Sequence, residues 1–296
     1  MMSKNAATVT KSPWEHPLLI RLGLARVDTS ERKTVTFGDA STVRGAAFWM
    51  ILSVVILAIL WLCSSVFEWT DPRFLPGPIA VWNEFVQIAQ EGYRGVTLMQ
   101  HLTVSLFRIL AGFAIGSLVG IPLGFAMGLS NPLRGLLDPI VEFLRFIPPL
   151  VLIPLVILWF EMGEPSKVFL ISLAVVWIMT IAARGGVLSV TLSKVHTAYS
   201  LGASKTQLLR YVILPSALPE IFIGMRVALR FSWETLLMVE LLSAREGIGV
   251  MIWLGNKFLR ADIVIIGIII LGVIGLAMDV MIRMIQARLI PWRGRG

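Results

Sequence analysis

The chain has 296 residues, 56% of them hydrophobic and only 15% charged, with a formal net charge of +8 and a mean hydropathy of +0.82. A single water-soluble core stops growing near this length and cannot hide so much apolar surface, which excludes a soluble globular protein. Lipid is the alternative solvent, and the basic excess then reflects topology rather than nucleic-acid binding.

Residues 1–45 are a mixed polar leader, expected to be a cytoplasmic tail. Its one apolar patch, Pro17 to Leu24, either stays unstructured or lies on the membrane surface. The run Ala46 to Phe67 carries no charge. It follows too long a leader, and is itself too long, for a cleaved signal, so it reads as the first span. Cys63 within it has no second cysteine to pair with and reads as a small core residue. Phe74-Leu75-Pro76-Gly77-Pro78 marks a turn, and Ala80 to Ala89 has the spacing of a helix on the outer side.

The second span, Leu102 to Leu129, holds one charge, Arg108, which has no partner nearby in sequence. It carries Gly112, Gly116, Gly120, Gly124 and Gly128, a smooth strip on one face that suits close helix packing, either within the subunit or against a second copy. Pro122 predicts a bend in it. The third span, Phe146 to Phe160 with a weaker extension from Gly135, is interrupted by Pro148, Pro149 and Pro154. Broken backbone at membrane depth belongs where it is buried or lines a wet cavity, so Pro148 and Pro149 are placed on the translocation path, or at a packing kink.

Val168 to Ala183 is the fourth span, Ile221 to Leu242 the fifth and Ile263 to Met278 the sixth. Residues 243–262 read as a re-entrant or interfacial helix broken by Gly247 and Gly249. The fold class is therefore all-α membrane protein with six transmembrane helices. A domain over 46–284 follows the tail and ends in a second cytoplasmic tail, 285–296. Alternating the loops puts 16 Lys and Arg inside (1–45, 130–135, 184–218, 283–296) and 6 outside (68–101, 161–167, 243–262), with both termini cytoplasmic.

Charges inside spans are costly unless paired or wet. In the fifth span Arg226, Arg230 and Glu234 share one face at i,i+4 spacing, and Glu240 follows. Arg230 and Glu234 can neutralise each other, Glu142 and Arg145 can do so at i,i+3, and Arg226 needs a headgroup or an acid on another span. These charges either hold the fold or give the path a polar lining, with Arg230, Glu234 and Glu240 as candidates.

The inside loop 190–218 reads as two short helices with a hinge. Gly202 suits the left-handed end of one helix, and Ser204 with Gln207 has the spacing of a capping box that starts the next. Leu208, Leu209, Val212 and Ile213 form an apolar face, Lys205 and Arg210 stay wet, and Leu214-Pro215 stops the helix before the fifth span. Such a face either lies on lipid or receives a docking partner.

The run Leu201-Gly202-Ala203-Ser204, with Leu214-Pro215 beyond it, resembles the EAA loop of ABC importer permeases. The resemblance covers nearly all of 74–292. "HLTVSLFRI", "GIPLGFAMGLS", "LLDPIVEFLRFIPPLVLIPLVILWF", "SLGASKTQLLRYVILPSALPEI", "GIGVMI" and "LIPW" are similar, in order and spacing, to runs of the taurine and aliphatic sulfonate permeases and of their nitrate and bicarbonate relatives. The usual Glu-Ala-Ala opening is His196-Thr197-Ala198 here.

The resemblance implies a type I ABC importer permease in a bacterial inner membrane. It implies two copies of this chain, two copies of an ATPase subunit that holds the ATP and magnesium, and a periplasmic substrate-binding protein. Ala198, Leu201, Gly202, Ala203, Ser204, Leu208, Leu209, Leu214 and Pro215 would form the coupling contact with the ATPase. This chain is then expected to bind no cofactor and to be no enzyme. It lacks a G-x-x-x-x-G-K-[ST] phosphate loop, and His16, His101 and His196 show no metal spacing. The competing classes are a nitrate- or bicarbonate-type permease, an ion-coupled secondary transporter, and an integral membrane enzyme, for which no cluster of reactive groups is visible.

Overall fold

The structure, a computed structural model, describes residues 46–243 and 245–291. The expected tail 1–45 with its patch, and residues 292–296, lie outside the described residues. Contacts divide the chain at Val55 and Ile56. Residues 46–55 are the start of α1 (Ala46–Val66), where Phe48 and Trp49 meet edge to face.

From Ile56 onward the described residues are helical, with no strand among them. After α1 come α2 (Pro78–Glu91), α3 (Leu98–Leu129), α4 (Asn131–Arg145), α5 (Pro149–Phe160) and α6 (Glu164–Leu188). They are followed by α7 (Leu192–Ser200), α8 (Lys205–Leu208), a π-helical turn (Leu209–Ile213), α9 (Leu214–Ser243), α10 (Ile248–Lys257) and α11 (Ala261–Leu289). Local chemistry sets these limits. Thr97 caps α3 in a full capping box with Gln100, and Pro78 and Pro149 occupy first-turn positions where a missing N–H costs nothing.

The glycine strip decides the centre of the fold. A Cβ on Gly112 would meet Ile171, one on Gly116 Val175, one on Gly120 Met179, one on Gly124 Ala183 and one on Gly128 Val187. Both series advance by four, so α3 and α6 run parallel and in contact over about five turns. The strip is consumed by packing within the subunit, and the option that it faces a second copy falls away. Pro122 lies inside a continuous α3.

This parallel pairing has a topological consequence. The start of α6 lies level with Ser105, about two turns into α3, so residues 130–163 must climb the height of α6. They do so as α4 and α5, which meet at 99° across the break before Pro148. The third predicted span is therefore a bent pair, not one helix with a kink. α9 returns antiparallel to α6, with Gly186 against Ala217 and Gly224 against Ala182. α11 is antiparallel to α9, with Arg226 on Asp279 and Trp233 beside Gly275.

Among the described residues four helices are long and apolar enough to cross a membrane: α3, α6, the unbroken stretch Lys205–Leu241, and α11. Counted as one span the bent pair is a fifth, and α1 contributes a shorter apolar stretch, Ile51–Val66. Two expectations about breaks are corrected. Leu214-Pro215 does not stop the helix. The chain widens into the π turn, where the Leu214 N–H donates to the Leu209 carbonyl, and Pro215 follows without a break. A proline in regular helix clashes with the carbonyl four residues back, and the wider turn just before it relieves that conflict. Likewise, of the two glycines, Gly247 lies at the break ahead of α10, at φ +137°, whereas Gly249 lies inside α10.

Candidate translocation groove, anchor network and coupling hairpin

The break at Pro148 opens a groove. A cavity of about 840 Å³ is lined by Pro148, Pro149, Trp159, Trp177, Phe231 and Glu234, among other mostly apolar side chains. A second cavity of about 870 Å³ lies between α9 and α11 and takes in Arg226, Arg230, Glu234, Asp279 and Arg283. α9 is the ridge between the two, and Phe231 and Glu234 line both. Of the path candidates, Pro148, Pro149 and Glu234 share the first cavity, and Arg230 joins Glu234 in the second.

Arg230 Nε lies 3.5 Å from Glu234 Oε1, with the side chains 83% and 51% exposed. The predicted i,i+4 pair forms, but loosely. Arg226 finds its acid on another helix, Asp279 of α11, at 2.8 Å, and Asp279 also accepts from Arg283 at 2.7 Å. Glu142 and Arg145 pair at 2.7 Å.

Glu240 sits apart from these, near the end of α9, and is buried. Its Oε1 accepts from Ser105 Oγ and from Arg108 Nη1, each at 2.7 Å, and its Oε2 accepts from the Gly249 amide at 2.8 Å. Arg108 donates twice more, through Nε and Nη2, to the two Glu164 oxygens at 2.7 and 2.6 Å, and Nη1 also reaches the Glu246 carbonyl. Lys167 Nζ completes the set on Glu164 at 2.7 Å. Ser105 Oγ accepts from the Ile248 amide, and His101 Nδ1 lies 3.0 Å from the Gly247 amide. The carboxylate and hydroxyl thus satisfy free amides at the start of α10, where negative charge is favoured. The net result clamps α3, α6, α9 and α10 together at one end.

Sequence reasoning missed Ser105, Glu164 and Lys167 as members of this site. The available sign was Arg108 itself. A lone guanidinium in an apolar run requires acids from elsewhere.

The opposite end carries the hairpin. α7 ends in a Schellman motif: the Gly202 amide donates to the Tyr199 carbonyl and the Ala203 amide to the Ala198 carbonyl, with Gly202 at φ +80°. Ser204 and Gln207 then cap each other's amides as the spacing predicts. The apolar face has two fates. Leu208, 6% exposed, and Ile213 pack on Val187, with Ala198 and Val212 alongside. Leu201, 83% exposed, projects from the tip, and Leu209 and Leu214 are also exposed. Ala203 and Pro215 are half-buried, and Gly202, Ser204, Lys205 and Arg210 are exposed. The tip, not Leu208, is available to a partner.

Residues 102–291 match the family described as binding-protein-dependent transport system inner membrane component. The chain is 42% identical over 247 residues to the taurine transport system permease protein TauC of Escherichia coli (strain K12), covering 82% of this chain and 90% of that one. It is 39% identical over 241 residues to the putative aliphatic sulfonates transport permease protein SsuC of the same strain, covering 81% and 90%. The bicarbonate transport system permease protein CmpB of Synechococcus elongatus (strain ATCC 33912 / PCC 7942 / FACHB-805) is 31% identical, over 77% and 84%. A solved structure of the MetNI methionine ABC transporter, in inward-facing conformations, shares the fold at a TM-score of 0.54 and 18% identity, over 63% of this chain and 94% of that chain. With multiple apolar crossings and a family match over most of its length, the chain belongs to the binding-protein-dependent transport system inner membrane components, and is a multi-pass inner-membrane protein.

Proposed function

We propose that this chain is the permease subunit of an ABC importer for a small sulfonate such as taurine. It forms the path, and a separate ATPase subunit, bound at the hairpin, supplies the energy. The observation that carries the reading is the 42% identity to a taurine permease over 82% of the chain. The geometry supports it: a broken helix borders an aromatic groove, and an exposed, rigidly capped hairpin tip stands ready for a partner.

In this reading two copies of the chain face each other, with two ATPase subunits below and a periplasmic binding protein above. α1 is the sixth crossing. The end carrying α7 and α8 faces the cytoplasm with both termini, and the end carrying α2 and α10 faces outward. Pro148, Pro149, Arg230 and Glu234 border the path, and Glu240 serves the fold rather than the solute. ATP and magnesium belong to the partner.

The test is growth and labelled uptake in a deletion strain with taurine as sole sulfur source. Restored uptake that needs both the ATPase and the binding protein supports the reading. Uptake of nitrate or bicarbonate alone would replace the solute, and uptake without the ATPase would favour an ion-coupled transporter.

A further inference from the structure

We infer that Arg230 and Glu234 are the solute-selecting pair of this path, Arg230 receiving the sulfonate and Glu234 the ammonium of a zwitterionic aminosulfonate. The inference rests on the sulfonate-import reading above and adds to it which charge of the solute each residue reads.

Depth is the first ground. A Cβ on Gly275 would lie 3.6 Å from Trp233 Nε1, and Gly275 is at the middle of α11 (Ala261–Leu289). Arg230 and Glu234 lie within one turn of Trp233, hence at mid-span. A guanidinium 83% exposed at that depth is strongly disfavoured against hydrocarbon, so this face of α9 borders water. Ile223, Val227, Arg230, Glu234, Met238 and Leu241 recur every three or four residues as one exposed stripe.

Looseness is the second ground. The pair makes one contact at 3.5 Å. The charges of α9 on either side of the pair are committed: Arg226 to Asp279 at 2.8 Å, and Glu240 to Arg108 at 2.7 Å. Arg283 and Asp279, which share the cavity between α9 and α11, also hold each other. Arg230 and Glu234 can therefore exchange partners with a passing ion.

The pairing of signs is the third ground. A carboxylate on the path repels a simple anion, so Glu234 would hinder a sulfonate that lacks a cation. One helical turn separates the two side chains by about 5–6 Å at Cβ, a separation short enough for one small zwitterion to meet both.

The test uses the whole transporter, with its ATPase and binding protein, in membranes. E234Q and R230Q are each expected to lower taurine uptake by about tenfold or more, the scale of a lost charged hydrogen bond. The amount of chain in the membrane and binding-protein-stimulated ATP hydrolysis should stay near wild type, which a purely structural role would not allow. Ethanesulfonate, which has no ammonium, should lose less than taurine in E234Q. Equal loss for both solutes, or taurine uptake within twofold of wild type in either variant, overturns the inference. Failure of both variants to accumulate assigns the pair to folding and overturns it as well. A wild-type transporter that carries no taurine overturns the import reading and the inference together, whereas an active wild type with unaffected variants overturns the inference alone.

Discussion

Arg108 Nη1 donates to Glu240 Oε1 at 2.7 Å across 132 residues of sequence, and both side chains are buried. Removing one partner of a buried pair costs up to about 3–5 kcal/mol, and less here, because Arg108 keeps its two bonds to Glu164. Glu240→Ala also leaves Ser105 and the Gly249 amide without their acceptor. We expect it to lower Tm in detergent sharply, with poor recovery of folded chain. Glu234→Ala, which breaks an exposed pair, should shift stability by only about 0–1 kcal/mol. Equal thermal stability for the two variants would contradict the anchor role of Glu240.

The contrast shows what was legible in the sequence. Pairs within one helix follow from spacing alone, so Arg230–Glu234 and Glu142–Arg145 were readable. The partners of Arg108 were not, because Glu164 and Glu240 are reached only through the packing of α6 and α9 on α3. Turn chemistry at Gly202 and Ser204 was equally local and equally readable. Pro215 misled because its rule holds for regular helix, and the π turn ahead of it changes the backbone to which the rule applies. Leu208 was assigned to a docking face since an apolar stripe does not say which neighbour covers it, and Val187 of the same chain does.

Gly247 gives the next test. Its φ of +137° is open to glycine alone, and a Cβ there would collide with the Glu240 carboxylate. Gly247→Ala should cost about 1–3 kcal/mol from backbone strain, before any displacement of Glu240 is counted. Gly272→Ala is the control, because a Cβ there meets nothing within 4 Å. Thermal unfolding in detergent compares them, and matching Tm values would refute the account of Gly247.

The α3–α6 seam predicts a graded response. Gly120→Ala pushes a methyl into Met179 and the Val176 carbonyl, and Gly124→Ala into Ala183 and the Thr180 carbonyl. Backbone cannot yield as a flexible side chain can, so each should cost about 1–3 kcal/mol. Gly135→Ala, on α4 in open space, should cost nothing by this route. If two copies pair as proposed, dimer formation should follow stability rather than fall first, since the strip faces inward. Loss of dimer with unchanged Tm would return the strip to an intersubunit role.

Topology can be checked at two sites. Asn83 lies on α2 at the end of the molecule with α10, and Ser204 lies on the hairpin at the other end. Reporter fusions or accessibility labels at these positions should report the outer and the cytoplasmic side respectively. Labels on one common side would break the alternation of loops on which the orientation rests.

The hairpin separates docking from folding, because its two leucines have opposite environments. Leu208→Asp places a charge among Val187, Ile213 and Ala198, so it should damage the fold itself and reduce the chain in the membrane. Leu201→Asp changes a side chain that is 83% exposed, and should leave the chain folded and inserted. If the tip seats in a partner ATPase, Leu201→Asp instead reduces co-purification of that subunit and the coupling of hydrolysis to uptake. Gly202→Asp should act with it: a left-handed backbone costs a side-chain residue about 1–2 kcal/mol, and the reorganised tip no longer fits. Charge reversal at Lys205 or Arg210, both exposed, should be milder, worth about 0–1 kcal/mol each. Co-purification of the ATPase and substrate-stimulated hydrolysis are the measurements. Wild-type values for both in Leu201→Asp and Gly202→Asp, with full uptake, would remove the coupling role from the tip.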